Sequence, residues 1–116
     1  MKNQILHNPY CSKSRATLDL LTERKLDVAV TDYQKTPLDK DELRKICGLL
    51  GKQPLDIMRV NDVLFSDLGL SKDNGYSDEQ WLDVLVAHPK LLERPIVIYN
   101  GKAAIGRPIE NVMAIL

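Results

Sequence analysis

The run from Gln4 to Tyr33 constrains this chain more than any other stretch. Gln4 to His7 is short and apolar enough for a buried strand, and Asn8-Pro9 breaks it at once. Ser12 to Lys25 then reads as a helix, with Leu18 and Leu21 inward and Leu20 and Ala16 beside them. Val28 to Tyr33 is rich in β-branched residues and reads as a second strand. Strand, helix and strand in so short a span predict a right-handed crossover that leaves the two strands parallel.

Beyond Pro37 the pattern turns helical. Asp39 can cap a helix reaching about Leu50, with Leu43, Ile46, Cys47 and Leu50 on one face and Gly51 to stop it. Pro54 to Leu70 predicts short helices around Ile57 and Phe65. Ser77-Asp78-Glu79-Gln80 is a capping box, opening a helix that carries Trp81, Leu82 and Leu85 and ends before Pro89. Ile96 to Tyr99 reads as a third strand. Asn100-Gly101 is a hairpin turn signal that pairs it antiparallel with Lys102 to Gly106. Pro108 suits the first turn of a closing helix to Leu116. The expected class is α/β: a four-stranded mixed sheet flanked by helices, in the order β-α-β, helical insert, β-β-α. A chain of 116 residues suffices for one core, so a single domain over 1–116 is expected, with the insertion at about 38–92.

Charge narrows the partners. Acidic and basic residues balance at 16 each, so no global field draws the chain to nucleic acid or an anionic membrane. Any anion site must be local. No apolar run approaches the roughly 20 residues needed to cross a bilayer, and Met1 to His7 lacks the apolar core of a leader peptide. Cys11 and Cys47 show neither metal-ligand spacing nor a disulfide framework. No metal and no bound cofactor are expected, and a reducing cytoplasm is the expected setting.

The chemistry points to Cys11, within His7-Asn8-Pro9-Tyr10-Cys11-Ser12-Lys13-Ser14-Arg15. It stands just after a strand and just before a helix, where unpaired backbone N–H groups and the helix dipole favour negative charge. Ser12 and Ser14 add hydroxyls, and Lys13 and Arg15 add cations, a setting that favours a thiolate. Acidity alone does little for rate. A thiol whose pKa falls from about 8.5 to about 6.5 gains roughly 25-fold in thiolate at pH 7 and loses roughly 8-fold in nucleophilicity. Large rate enhancement must come from holding a substrate and stabilising its charge. Cys47, on the apolar stripe of its helix, reads as a packed core residue. His7 reads either as a satisfied core histidine or as a group that tunes the thiol.

The His-Asn-Pro-Tyr-Cys-Ser-Lys-Ser-Arg segment, Arg59, and the pairs Arg94-Pro95 and Arg107-Pro108 resemble the glutaredoxin-linked arsenate reductase (ArsC) family. That family shares a thioredoxin-like fold with Spx-type transcriptional regulators, and the resemblance runs from residue 4 to residue 116. It implies Cys11 as nucleophile, with Arg59, Arg94 and Arg107 binding and neutralising an oxyanion. Ser14 and Arg15 would assist at the helix N-terminus, His7 would lie near the thiol, and Pro95 would be the cis-proline beside the site. Arg forks suit doubly charged arsenate or a similar oxyanion. The implied cycle has the Cys11 thiolate attack arsenic. Glutathione, as co-substrate, attacks the adduct to release arsenite, and glutaredoxin reduces the mixed disulfide.

Ser14 occupies the fourth position of Cys11-Ser12-Lys13-Ser14, so the chain lacks the Cys-x-x-Cys pair that would supply a local resolving thiol. An external reductant is implied. Two other functions share parts of this sequence. An Spx-like regulator would bind RNA polymerase through its surface, and a monothiol thiol-transfer protein would use Cys11 without arsenate chemistry.

Overall fold

Gln4–His7 forms β1, and all four of its residues are closed to solvent. After the Asn8-Pro9 break, helix α1 runs Ser12–Glu23, and the chain returns as β2, Ala29–Asp32. β2 pairs in parallel with β1, with Gln4 opposite Ala29. On the other side of β1, β3 (Ile96–Tyr99) lies antiparallel, with Ile5 opposite Val97. β4 (Lys102–Ile105) pairs antiparallel with β3 through the Asn100-Gly101 turn, where both residues take positive φ, 49° and 77°. The order β2-β1-β3-β4 is the mixed four-stranded sheet expected of a thioredoxin-like chain.

The computed structural model describes residues 1–116 as two compact units, Met1–Thr36 with Arg94–Leu116, and Pro37–Glu93. In the first unit, Ile5, Leu21, Val97, Ala104 and Val112 form a core, with Leu18, Leu26, Val28, Tyr99, Ile115 and Leu116 packed around it. Each fully buried aliphatic side chain contributes about 1.5–3 kcal/mol by leaving water.

Two local features depart from the periodicity reading. The inward face of α1 adds Ser14 and Thr17 to Leu21 and the half-buried Leu18, whereas Ala16 is exposed and Leu20 is only half-buried. Hydroxyls are tolerated there because each has a partner: His7 and the Asn8 amide for Ser14, and the Lys13 carbonyl for Thr17. The closing helix α5 spans only Glu110–Met113, and Pro108 lies ahead of it. The amides of Asn111 and Val112 bond to the carbonyls of Pro108 and Ile109, so the chain enters through a tighter i→i+3 turn.

In the second unit, α2 (Lys40–Leu50) buries Leu43, Ile46 and Cys47 and ends at Gly51 with φ 64°, a left-handed cap that glycine adopts without steric cost. Pro54–Ile57 is a single 3-10 turn and α3 spans Val63–Asp67. α4 (Asp78–Ala87) opens on the Ser77–Gln80 capping box and buries Trp81, Leu82 and Leu85. Trp81 stacks on Phe65 with ring centroids 5.9 Å apart. No helix in the chain is long and apolar enough to cross a membrane.

Asp39 does more than cap α2. Its carboxylate accepts the Glu42 amide at 2.8 Å while Glu42 Oε1 accepts the Asp39 amide at 3.2 Å, a reciprocal box. Asp39→Ala is therefore expected to cost about 1 kcal/mol, read as a lower urea midpoint with unchanged slope. An unchanged midpoint would mean the exposed box contributes nothing.

Candidate active site

Cys11 is the N-cap of α1. Its backbone is extended (φ −96°, ψ 122°), its carbonyl accepts the Arg15 amide at 3.0 Å, and its side chain makes no capping bond. The sulfur therefore stands at the positive end of a twelve-residue helix with first-turn amides lacking a side-chain acceptor from the cap. The preceding loop is held by its own polar groups. The Cys11 amide donates to the Asn8 carbonyl at 3.0 Å, and Asn8 Oδ1 accepts the Tyr10 amide at 3.0 Å. Arg15 Nη1 reaches back to the Pro9 carbonyl at 3.0 Å. Tyr10, next to the nucleophile, is 90% exposed.

Arg107 meets this sulfur from the far edge of the sheet. Its Nη2 donates to Cys11 Sγ at 3.2 Å, while its Nε donates to the Arg94 carbonyl at 2.6 Å. The guanidinium is thus fixed at one end by main chain and applied to the sulfur at the other. The planar fork of arginine allows this where an ammonium cannot. Both Arg94-Pro95 and Arg107-Pro108 are cis. Pro95 is buried, and its carbonyl accepts the Gly106 amide at 2.9 Å.

His7 and Ser14 are brought together beneath the loop. Ser14, fully buried, accepts the Asn8 amide on Oγ at 3.0 Å and shares a 2.7 Å bond with His7 Nδ1. The partner of His7 is thus Ser14, and the Ser14 hydroxyl is occupied in holding the strand end to the helix.

Burial pushes the His7 imidazole below its ordinary value, with the Asp32 carboxylate opposing and Arg15 reinforcing the shift. The folded protein therefore binds this proton less readily than the unfolded chain. Its stability is full above the unfolded value near 6.5 and falls as pH drops through it toward the lower folded value. In His7→Asn the fall in urea midpoint between pH 7 and 5 should be shallower than in wild type. Equal slopes would assign the acid sensitivity to other groups.

Arg59 belongs to the second unit. Its amide donates to the Leu91 carbonyl at 2.7 Å, and its guanidinium makes long ion pairs, 3.9 Å to Asp62 and 3.9 Å to Glu93. Cys47 lies in the same unit, buried on α2. Burial pushes its thiol up, and the Asp78 and Asp56 carboxylates add to the effect, so it is a poor nucleophile near neutral pH.

Sequence reasoning passed over Asn8, Thr17 and Gly106. Thr17 is fully buried and donates to the Lys13 carbonyl at 2.9 Å. A polar pair at i, i+3 on an inward helix face was the available signal for Ser14 and Thr17. Gly106, directly before Arg107, had none.

Comparison with known proteins gives a consistent set of relatives. A model of the ArsC family matches residues 6–115. An arsenate reductase of Neisseria meningitidis serogroup A is 49% identical over 114 residues, 97% of each chain. An Escherichia coli arsenate reductase is 36% identical over 112 residues, 97% of this chain and 79% of its own. Among solved structures, the arsenate reductase from Vibrio cholerae superposes with a TM-score of 0.92 at 41% identity, over 100% of this chain and 98% of that one.

Proposed function

The chain belongs to the ArsC family, and from that premise we propose that it reduces arsenate to arsenite, with Cys11 as nucleophile and glutathione and glutaredoxin as the reducing partners. The observation that carries the proposal is the Arg107 guanidinium 3.2 Å from the Cys11 sulfur, at the N-terminus of α1. That pairing sets a fixed positive charge against the sulfur, beside first-turn amides that no side chain of the cap engages and that suit an anion's oxygens.

In the first step the Cys11 thiolate attacks arsenic, and one arsenate oxygen, taking protons, leaves as water. Arginine donors and the helix N-terminus neutralise the charge on the remaining oxygens. A glutathione thiolate then attacks the Cys11 sulfur. The electron pair of the sulfur–arsenic bond departs with arsenic, which falls from the pentavalent to the trivalent state and leaves as arsenite. Cys11 is left in a mixed disulfide with glutathione, and the thiol of glutaredoxin takes the glutathionyl group to restore it. Ser14 in place of a nearby cysteine, and the burial of Cys47, both favour a thiol brought from outside. Arg107 acts on the oxyanion in this reading, and the assignment of Arg94 and Arg59 to it rests on the family resemblance.

The test is arsenate-dependent oxidation of NADPH with glutathione, glutaredoxin and glutathione reductase supplied. Turnover should vanish when arsenate, glutathione or glutaredoxin is left out in turn. Turnover that persists without arsenate, on a glutathione mixed disulfide, would favour a thiol-transfer protein. No turnover from folded protein with a titratable Cys11 would overturn the proposal.

A further inference from the structure

Gly106 differs from every other glycine of the chain. A Cβ built on Gly48, Gly51, Gly69, Gly75 or Gly101 meets nothing within 4 Å, whereas one on Gly106 stands 2.7 Å from Pro95 Cγ and 2.9 Å from Thr17 Oγ1. Its φ is not in the left-handed region, so its backbone is open to any residue. Space alone demands glycine here. Neither neighbour yields easily: Pro95 is a buried ring, and Thr17 is fully buried with its hydroxyl committed to the Lys13 carbonyl at 2.9 Å.

These contacts lie between two parts of one site. Thr17 belongs to α1, the helix that Cys11 caps, and Gly106 links β4 to Arg107. As the chain leaves β4, the Gly106 amide grips the Pro95 carbonyl at 2.9 Å and Arg107 Nε grips the Arg94 carbonyl at 2.6 Å. Two successive residues thus hold two successive carbonyls, and the second carries its guanidinium on to Cys11 Sγ at 3.2 Å. A methyl group at position 106 would lift this strand end from Pro95 and Thr17, and Arg107 would move with it.

We propose that Gly106 is a positioning residue that sets the distance between the Arg107 guanidinium and the Cys11 sulfur. The inference rests on Arg107 as the charged partner of the nucleophile. It does not require that arsenate be the substrate.

The experiment compares alkylation of Cys11 by iodoacetate and by iodoacetamide, followed by mass on the peptide carrying Cys11. The ratio of the two rates cancels the thiolate fraction and the intrinsic nucleophilicity, and reports the positive charge beside the sulfur. Arg107→Ala should lower the ratio roughly fivefold, the attraction expected of one unscreened charge at about 4 Å in water. Gly106→Ala should lower it nearly as far, and the double variant no further than Arg107→Ala alone. A wild-type ratio in Gly106→Ala, or losses that multiply in the double variant, would overturn the proposal. Should Gly106→Ala not fold by circular dichroism, Gly106→Ala/Thr17→Ala, which removes one of the two close contacts, takes its place. Failure of both to fold would show that the glycine serves the sheet rather than Arg107, and would equally overturn it. Because no arsenate enters the ratio, this result and the absence of arsenate turnover are separate failures.

Discussion

Cys11→Ser is expected to abolish arsenate turnover, by at least about 10³-fold, while making the protein slightly more stable. The loss follows from the chemistry of the proposed cycle. A serine oxygen is a weak nucleophile, and it cannot form the mixed disulfide through which glutathione and glutaredoxin carry electrons. No bypass exists within the cycle, so residual activity should be at the level of the protein-free reaction. The gain in stability follows from the position. Cys11 caps α1 without a side-chain capping bond, at an extended backbone geometry. Serine is among the preferred N-cap residues, because its hydroxyl accepts an amide of the first turn. A gain of about 0.5–1 kcal/mol would raise the melting temperature by roughly 2–5 °C. The opposed signs discriminate: a merely disruptive substitution would lower both quantities. Calorimetry beside the coupled assay checks the pair. Serine-variant turnover above a few per cent of wild type would place the nucleophile elsewhere, and a lower melting temperature would show that the thiol contributes more than a cap.

In the proposed cycle the helix N-terminus is therefore a site where binding competes with stability. Its first-turn amides are satisfied by no side chain of the cap, and the proposed cycle uses them for the incoming anion. The buried hydrogen bonds beneath it, from the Asn8 amide to Ser14 and between Ser14 and His7, hold the loop without using those amides.

The sheet was legible in the chain because its strands are short, apolar and bounded by strong breakers. Asn8-Pro9 and Asn100-Gly101 both fall where the backbone turns. The second capping box was equally open to reading, since Ser77 and Gln80 stand at the diagnostic spacing. The inward face of α1 was not. Apolar periodicity finds Leu18 and Leu21, which pack in the core, but it also counts Ala16 and Leu20 and misses Ser14 and Thr17, which turn inward because His7, Asn8 and the Lys13 carbonyl satisfy their hydroxyls. A buried hydroxyl with partners costs little, and its partners lie on other elements that no local window contains. The Arg94 carbonyl that holds Arg107 is hidden for the same reason: a main-chain acceptor carries no mark of residue type. Close approach at Gly106 is a property of three segments at once, and a glycine before an arginine looks like any loop glycine.

That main-chain grip makes Arg107 the most exacting of the charged positions. Arg107→Ala is expected to lower kcat/KM for arsenate by about 10²–10³-fold, the cost of losing one preorganised donor to a developing oxyanion. Arg107→Lys should recover little of it. Lysine keeps the charge, but its single nitrogen cannot both bond the Arg94 carbonyl and approach the Cys11 sulfur, which Nε and Nη2 of arginine do at 2.6 and 3.2 Å. The fall should appear chiefly in kcat, since charge on the arsenate oxygens and on the departing oxygen grows toward the transition state. Guanidinium added to Arg107→Ala should restore part of the rate, because the planar fork would be supplied again, while ammonium at the same concentration should not. A lysine variant within threefold of wild type would reduce Arg107 to a source of positive potential and remove the geometric argument. Loss confined to KM would make it a binding group with no part in the chemical step.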